Sequence, residues 1–381
     1  MKKKKELAEP IIVMKFGGTS VRNEKSRSSA VEHIRRRAES GNQVVVVVSA
    51  MGREGEPYAT DTLISLLKDL GEPINPTELD TVMSLGETLS SAFFSHLLSQ
   101  NDLPAQAFTG FQAGILTNDN PGNAEIQEIN PVRIQNVLNS GKIAVVAGFQ
   151  GATIDGDIRT LGRGGSDTSA VALAAALNAE KVEIYSDVDG IANCDPRQIP
   201  EATFLEKISA SQILSMANEG SKVIHPRAIK ASLQTQTPIV ARNTYSNLPG
   251  SFIFHGVNDE GSNQVVLAHR DGMSLIEFEA KIDVDNLVTE MIRVDECRFI
   301  LKNDVYLEKK IEELHKRFGA LHKENGWATI SVVFEKYITN SINPPETEII
   351  PSSINVICYL LKEEILASSL RSLYNHYYST E

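Results

Sequence analysis

Cysteine is scarce in this chain of 381 residues: only Cys194, Cys297 and Cys358, far apart and in no CxxC pair. That excludes a disulfide framework and a cysteine-built zinc site, and it fits a reducing compartment. An excess of positive charge is also lacking. The formal net charge is -12, which argues against nucleic acid or an anionic membrane surface as the main partner. No apolar run approaches the length of a membrane span. Met1-Lys2-Lys3-Lys4-Lys5 resembles a signal n-region, but the apolar run after it, Ile11–Met14, ends at Lys15 and is too short for an h-region. These absences read as a cytoplasmic protein with a disordered tail over residues 1–10. Two nucleotide fingerprints are missing as well. There is no GxxxxGK[ST], and no GxGxxG follows the first strand.

What is present is a series of strands that run into glycine loops. Ile11–Phe16 is a strand leading directly into Gly17-Gly18-Thr19-Ser20, with Lys15 beside the glycine pair. Val44–Val48 is five valines in a row, the mark of a central parallel strand buried on both faces. Ser49 lies just past its carboxyl end, where ligands sit in open α/β sheets. A third strand, Ile143–Ala147, stops at Gly148. A polar loop follows, tightening into Gly162-Arg163-Gly164-Gly165-Ser166-Asp167, and Thr168–Leu177 reads as a helix of small apolar residues. Val182–Tyr185 is a further strand, ending in Ser186-Asp187-Val188-Asp189-Gly190. Helices are expected at Glu24–Glu39, Thr62–Leu70 (capped by Thr60-Asp61), Thr77–Gln100, Pro131–Asn139, Ser209–Asn218 and Arg227–Gln234. Phe111–Ile129 reads as a loop-rich hairpin or lid.

Each loop has a plain structural alternative. Lys15 can be a solvated strand-end lysine, Asp167 an N-cap, Asp187 and Asp189 turn caps. His225 before Pro226 reads as a turn residue and Cys194 as inert. Together the loops point to anions. Glycines admit an anionic group close to the backbone. Lys15 suits a terminal phosphate, and Arg163 suits a carboxylate gripped at two points.

The ordered set KFGGTS (Lys15–Ser20), SAMG (Ser49–Gly52), Gly86-Glu87, GFQG (Gly148–Gly151), GRGGSD (Gly162–Asp167), SDVDG (Ser186–Gly190), DPR (Asp195–Arg197) and SKV (Ser221–Val223) resembles the aspartate kinases. The resemblance covers about residues 11–250. It implies a three-layer, doubly wound α/β amino-acid kinase fold over 11–257, with a smaller α+β ACT-like domain over 265–381 for regulation or assembly. It implies transfer of the ATP γ-phosphate to the side-chain carboxylate of L-aspartate, with Mg²⁺ accompanying ATP. This is the entry step to lysine, threonine and methionine synthesis. The same resemblance implies that Lys15, Phe16, Gly17, Gly18, Ser186, Asp187, Ala192, Asp195, Arg197, Lys222 and Val223 serve ATP. Ser49, Thr60, Glu87, Arg163, Gly164, Gly165 and Ser166 would serve aspartate. Lys15, Asp167 and Lys222 would be catalytic, and Glu87 and Asp167 are both candidates for the substrate ammonium. Ala192 stands where the family usually has an aromatic residue near adenine. A related kinase for another small amino acid, and a non-catalytic amino-acid-binding paralogue that regulates a partner, are the alternatives.

The tail alternates strand-like pieces (Ser274–Glu279, Cys297–Leu301, Ala328–Phe334, Ile354–Leu361) with amphipathic helices (Leu307–Phe318, Glu363–Tyr374). Within Ile276–Glu290, where a feedback ligand loop would fall, the run FEAKIDVDNLVT is acidic and lacks glycine. Asp283 and Asp285 have the wrong sign for an amino acid's carboxylate. The tail is also short for two ACT modules. Weak or absent inhibition by lysine and threonine is therefore expected, with homo-oligomer formation (dimer or higher) through the C-terminal region.

Overall fold

The computed structural model describes residues 9–53, 55–221, 223–256, 264–282, 291–304, 307–335 and 342–378. The chain divides into two compact units. Unit 1 comprises residues 1–191, 204–213 and 223–256; unit 2 comprises 192–203, 214–222 and 257–381. Unit 1 ends at residue 256, and two inner segments, 192–203 and 214–222, go with the C-terminal unit.

In chain order the first elements are β1 (Ile11–Phe16), α1 (Gly18–Val21), α2 (Glu24–Glu39), β2 (Gln43–Val48), α3 (Thr60–Lys68), α4 (Pro76–Gln100) and β3 (Ala105–Phe108). Then come β4 (Ile115–Thr117), β5 (Ile126–Ile129), α5 (Val132–Asn139), β6 (Ile143–Ala147), β7 (Gln150–Ala152) and β8 (Ile158–Thr160). They are followed by α6 (Gly165–Ala176), β9 (Lys181–Ser186), β10 (Lys207–Ser209), α7 (Ala210–Asn218), α8 (Pro226–Thr235), β11 (Ile239–Asn243) and β12 (Ser251–Phe254).

The main sheet has the order β10-β12-β11-β9-β1-β2-β6-β3. Neighbours from β11 through β6 pair in parallel, so their carboxyl ends share one edge. The valines of β2 are buried on both faces, as a continuous β-branched run requires. Even-numbered residues of β1 and β2 pack with Ala30, Val31 and Ile34 of α2 and Phe94 and Leu98 of α4. Helix α6 packs on β1 and on α8. Its run of alanine and serine allows the close helix–sheet approach expected of it. Helix, sheet and helix form the three layers.

A hairpin forms within Phe111–Ile129 as expected, from β4 and β5 paired antiparallel, while three other local readings change. The Phe111–Ile129 region and the loop before Gly162 contribute short strands to a second sheet, β5-β4-β7-β8. Period-2 patterning is too brief in strands of three or four residues to be legible. Helix α6 begins at Gly165, inside the motif, after Gly164 in the left-handed region (φ 72°). Asp167 therefore lies in its first turn and is not an N-cap. Helix α3 begins at Thr60 itself, with Ala59 as N-cap and no side-chain cap.

Unit 2 is built on β13 (Val265–Phe278), β14 (Ile292–Arg293), β15 (Arg298–Lys302), α9 (Leu307–Phe318), β16 (Leu321–Phe334), β17 (Glu348–Ile350), β18 (Val356–Lys362) and α10 (Leu366–Tyr378). Its sheet runs β14-β15-β13-β16-β18-β17, antiparallel throughout. Leu366, Leu370 and Leu373 of α10 pack on Val265, Ile330, Val332 and Tyr359. Cys194 and Ile199, from the inner segment 192–203, belong to the same core.

Candidate active site

Each strand at the shared edge delivers one part of the site. β1 ends at Phe16 and releases Gly17 and Gly18. Lys15 Nζ lies 2.7 Å from Asp167 Oδ1, with both side chains largely buried. A Cβ on Gly17 would stand 3.6 Å from that ammonium. A Cβ on Gly18 would lie 2.6 Å from the Ala50 carbonyl oxygen and 3.0 Å from that of Gly52, so only glycine fits there. The loops after β1 and β2 thus touch through backbone. Ser49 follows β2, its N–H donating to the Phe16 carbonyl at 3.1 Å.

Glu87 enters from α4. Gly86, one residue before it, is what lets the helix come this close: its Cβ would be 2.7 Å from Ala50 Cβ and 3.2 Å from the Tyr58 carbonyl oxygen. The glycine that weakens the helix by about 1 kcal/mol relative to alanine is explained by that approach. Glu87 is 4 % exposed, and its Oε2 has no hydrogen-bond partner. Burial pushes its carboxyl up to about 7, against the lowering effects of a backbone hydrogen bond at Ala50 and of the Lys15 charge. A buried, half-satisfied carboxylate suits an ammonium ligand.

The Gly162–Asp167 loop closes the third side. Gly164 packs on His225, where a Cβ would be 2.1 Å from the ring, and Gly165 packs on Phe149. Ser166 is buried against Gly148. Arg163 is exposed, its guanidinium free of any ion pair among the described residues. His225 Nδ1 accepts the Arg227 N–H at 3.3 Å as the N-cap of α8, which matches its reading as a turn residue. Burial holds its imidazole below the usual range, while Asp167 acts the other way.

On the far side of β1, the Ser186 carbonyl accepts the Thr244 N–H at 2.8 Å, and the Ser186 hydroxyl accepts the Val188 N–H at 3.3 Å. Asp189 accepts from Asn243 at 2.9 Å and Ser246 at 2.8 Å. Asp187 is exposed and lies 3.6 Å from Arg53. Thr60 opens α3, just past Tyr58. A cavity of about 730 Å³ behind Gly52 is lined by Arg22, Met51, Tyr58, Phe93 and His96. It includes neither Lys15, Glu87 nor Arg163, so the charged groups, and not the cavity, locate the chemistry.

Ala192, Asp195 and Arg197 belong to unit 2. There Arg197 pairs with Asp195 at 2.6 Å, which holds the Asp195 carboxyl below its usual range. Val223 lies in unit 1, and Lys222 falls outside the described residues. Burial pushes the Cys194 thiol up to about 12, in keeping with an inert cysteine. Sequence reasoning missed Asp80, Arg53 and Arg227. Asp80 is wholly buried on α4, on the face shared with Ser84 and Glu87. An acidic residue at i, i+4 and i+7 spacing from a motif serine and glutamate was the available signal.

Residues 10–243 match the model of the amino acid kinase family. The chain belongs to this family. Within it, the relatives are aspartokinases. Bacillus subtilis aspartokinase 1 is 46% identical over 289 residues, 74% of this chain and 72% of that protein. The Corynebacterium glutamicum aspartokinase is 41% identical over 276 residues, covering 72% of this chain and 63% of that protein. The chain thus spans roughly two thirds of the length of these curated relatives. Among solved structures, E. coli aspartokinase III in complex with aspartate and ADP superposes with a TM-score of 0.75 at 22% identity, over 96% of this chain and 99% of that one. The Synechocystis aspartate kinase superposes at 0.57 with 28% identity, over 97% of this chain and 70% of that one. The amino-acid kinase fold with a C-terminal ACT-like, β-rich unit is therefore the fold of this chain.

Proposed function

We propose that the chain is an ATP-dependent aspartate kinase. An oxygen of the aspartate side-chain carboxylate attacks the γ-phosphorus, the bond to the β–γ bridging oxygen breaks, and ADP leaves. The acceptor is already ionised, so no general base or covalent intermediate is required. The observation that carries the reading is the Lys15–Asp167 pair at 2.7 Å beside Gly17 and Gly18, with the buried Glu87 on the same edge.

Phosphoryl transfer depends mainly on positioning and charge stabilisation. Lys15 draws the phosphate charge, Gly17 and Gly18 leave room for it, and Arg163 is free to grip the α-carboxylate. Glu87 and Asp167 compete for the ammonium; Glu87, with an open Oε2, is better placed than Asp167, which already faces Lys15. Among the described residues no three His, Cys, Asp or Glu side chains converge as a metal cluster. That donor set fits a Mg²⁺ that arrives on ATP, held by phosphates, water and at most one or two carboxylates. When bound, it supplies neutralisation of the phosphate charge. Asp167 and Asp187 are the carboxylates at this edge that would reach it.

The reading carries with it a cytoplasmic location, a role in lysine, threonine and methionine synthesis, and homo-oligomer formation through the C-terminal unit. Among the described residues no helix is long and apolar enough to cross a membrane. Weak inhibition by lysine and threonine belongs to the same proposal; Asp283 and Asp285, on which it rests, lie outside the described residues. A coupled ADP-release assay with aspartate, glutamate and no acceptor tests the function. Release that depends on aspartate supports it. Dependence on glutamate points to a related kinase, and no release with either points to a non-catalytic paralogue.

A further inference from the structure

Asp80 is fully buried on α4, yet no cation pairs with it among the described residues. Its carboxylate is held by neutral donors. The Gly122 N–H donates to both oxygens, at 3.0 and 3.1 Å. The Thr160 N–H donates at 3.2 Å and the Thr160 hydroxyl at 2.5 Å. Burying a carboxylate without a countercharge is costly, and several aligned donors are what make it tolerable. Apolar packing would stabilise the same spot without that cost, so the arrangement is better explained by what it holds in place.

It holds three elements together. Thr160 ends β8, two residues before Gly162. Gly122 is the turn of the 118–124 hairpin. The hairpin in turn rests on the glycine loop: a Cβ on Gly162 would be 2.9 Å from the Gly122 carbonyl oxygen and 3.4 Å from Asn123 Oδ1. Arg227 ties the same contact from the other side. Its guanidinium donates to Asn123 Oδ1 at 3.0 Å, to the Ala124 carbonyl at 3.1 Å and to the Leu161 carbonyl. Asp80 shares a face of α4 with Ser84, whose carbonyl accepts from Gln150 at 2.8 Å, and with Glu87. Seven residues of helix separate Asp80 from Glu87, a rigid rise of about 10 Å.

We propose that Asp80 is a positioning residue for the amino-acid side of the site. Through Thr160 and Gly122 it sets the Gly162–Asp167 loop, and with it Arg163, at a fixed distance from Glu87 on the same helix. An α-amino acid offers an ammonium and a carboxylate at one fixed spacing. Recognising both at once needs donor and acceptor held to within about 0.5 Å. The clamp touches neither Gly17-Gly18 nor the Ser186–Gly190 loop, and its one route to the nucleotide side runs through Asp167 and its pair with Lys15. This inference rests on the aspartate-kinase reading.

The test uses the full-length chain with Asp80→Asn, Thr160→Val and the conservative Thr160→Ser. In Asp80→Asn the amide nitrogen faces N–H donors, and in Thr160→Val the hydroxyl donor is lost. Expected is a rise of about tenfold or more in the aspartate KM, with the ATP KM within about twofold and kcat less affected than KM. Thr160→Ser is expected to behave as the wild type. Hydrogen exchange is expected to quicken over residues 118–124 and 160–166 in Asp80→Asn and to stay unchanged in Thr160→Ser. A wild-type chain that does not phosphorylate aspartate overturns the functional reading. If the wild type does so, but the folded variants change both KM values together or neither, only the positioning role is overturned. Loss of cooperative folding in both Asp80→Asn and Thr160→Val also overturns it and marks the cluster as fold support.

Discussion

Lys15 and Asp167 meet as an ion pair at 2.7 Å, one at the end of β1 and the other in the first turn of α6. The pair joins the two glycine loops that sequence reasoning had assigned to different ligands. It puts the phosphate-side cation and the amino-acid-side loop within one hydrogen-bond length of each other, where transfer between the two ligands must occur.

Lys15→Ala is expected to fold and to lose about 3–4 kcal/mol of transition-state stabilisation, as for other preorganised charge contacts. That is a fall in turnover of roughly 10² to 10³. The measurement is kcat at saturating ATP and aspartate, alongside circular dichroism. Near-normal turnover by a folded variant would remove Lys15 from the phosphate role.

Arg163→Lys is expected to raise the aspartate KM by about tenfold and the ATP KM far less, because an ammonium cannot reproduce a planar two-point grip. Arg163 is exposed, so the thermal midpoint should not move. An effect confined to ATP would assign this loop to phosphate instead.

Glu87 gives a pH signature. Its folded carboxyl sits at about 7, above the unfolded value of 4.5. A raised folded pKa means that its contribution to stability is complete below pH 4.5 and is lost as pH rises to about 7. Glu87→Gln cannot ionise, so its stability relative to wild type should climb by about 3 kcal/mol between pH 4 and pH 8. Urea unfolding at several pH values measures this; a pH-independent difference would refute the buried-carboxylate account. The wild-type aspartate KM should fall over the same range, as Glu87 becomes able to take an ammonium.

Deleting residues 257–381 is expected to destabilise more than the tail. Cys194 and Ile199 pack in the C-terminal core, Tyr374 donates to the Glu201 carbonyl at 2.9 Å, and Arg371 pairs with Glu201 at 2.8 Å. Loss of two large buried contacts costs on the order of several kcal/mol. Light scattering and thermal unfolding of the full-length and 1–256 chains check this; a monodisperse truncation with an unchanged midpoint would contradict it.

The strand ends at Phe16-Gly17, Val48-Ser49, Ala147-Gly148 and Ser186-Asp187 were all legible, because an apolar run and the glycine or small polar residues that end it are local signals. Four tail strands (β13, β15, β16 and β18) and both tail helices were legible for the same reason, whereas β14 and β17, two and three residues long, were not. The full extent of the four was not: β13 and β16 each run for 14 residues, and pairing along the whole length carries polar residues that a period of two does not mark. Strands β7 and β8 of the second sheet escaped because three residues hold too little pattern.

By itself the sequence determined the glycine loops, their attached charges and the parallel α/β order, since turn chemistry and hydrophobic period depend on neighbouring residues. Only the tertiary structure decided which loops meet. Lys15 finds Asp167, and Asp80 finds Thr160 and Gly122, through crossovers that carry distant segments to one sheet edge. The Glu87 carboxyl is perturbed because Gly86 lets α4 press against Ala50 and exclude water. Segments 192–203 and 214–222 fall with the C-terminal unit for a similar reason: Cys194 and Ile199 complete an apolar core whose other members lie beyond residue 264. Burial and long-range pairing are properties of packing, and no local stretch of sequence contains them.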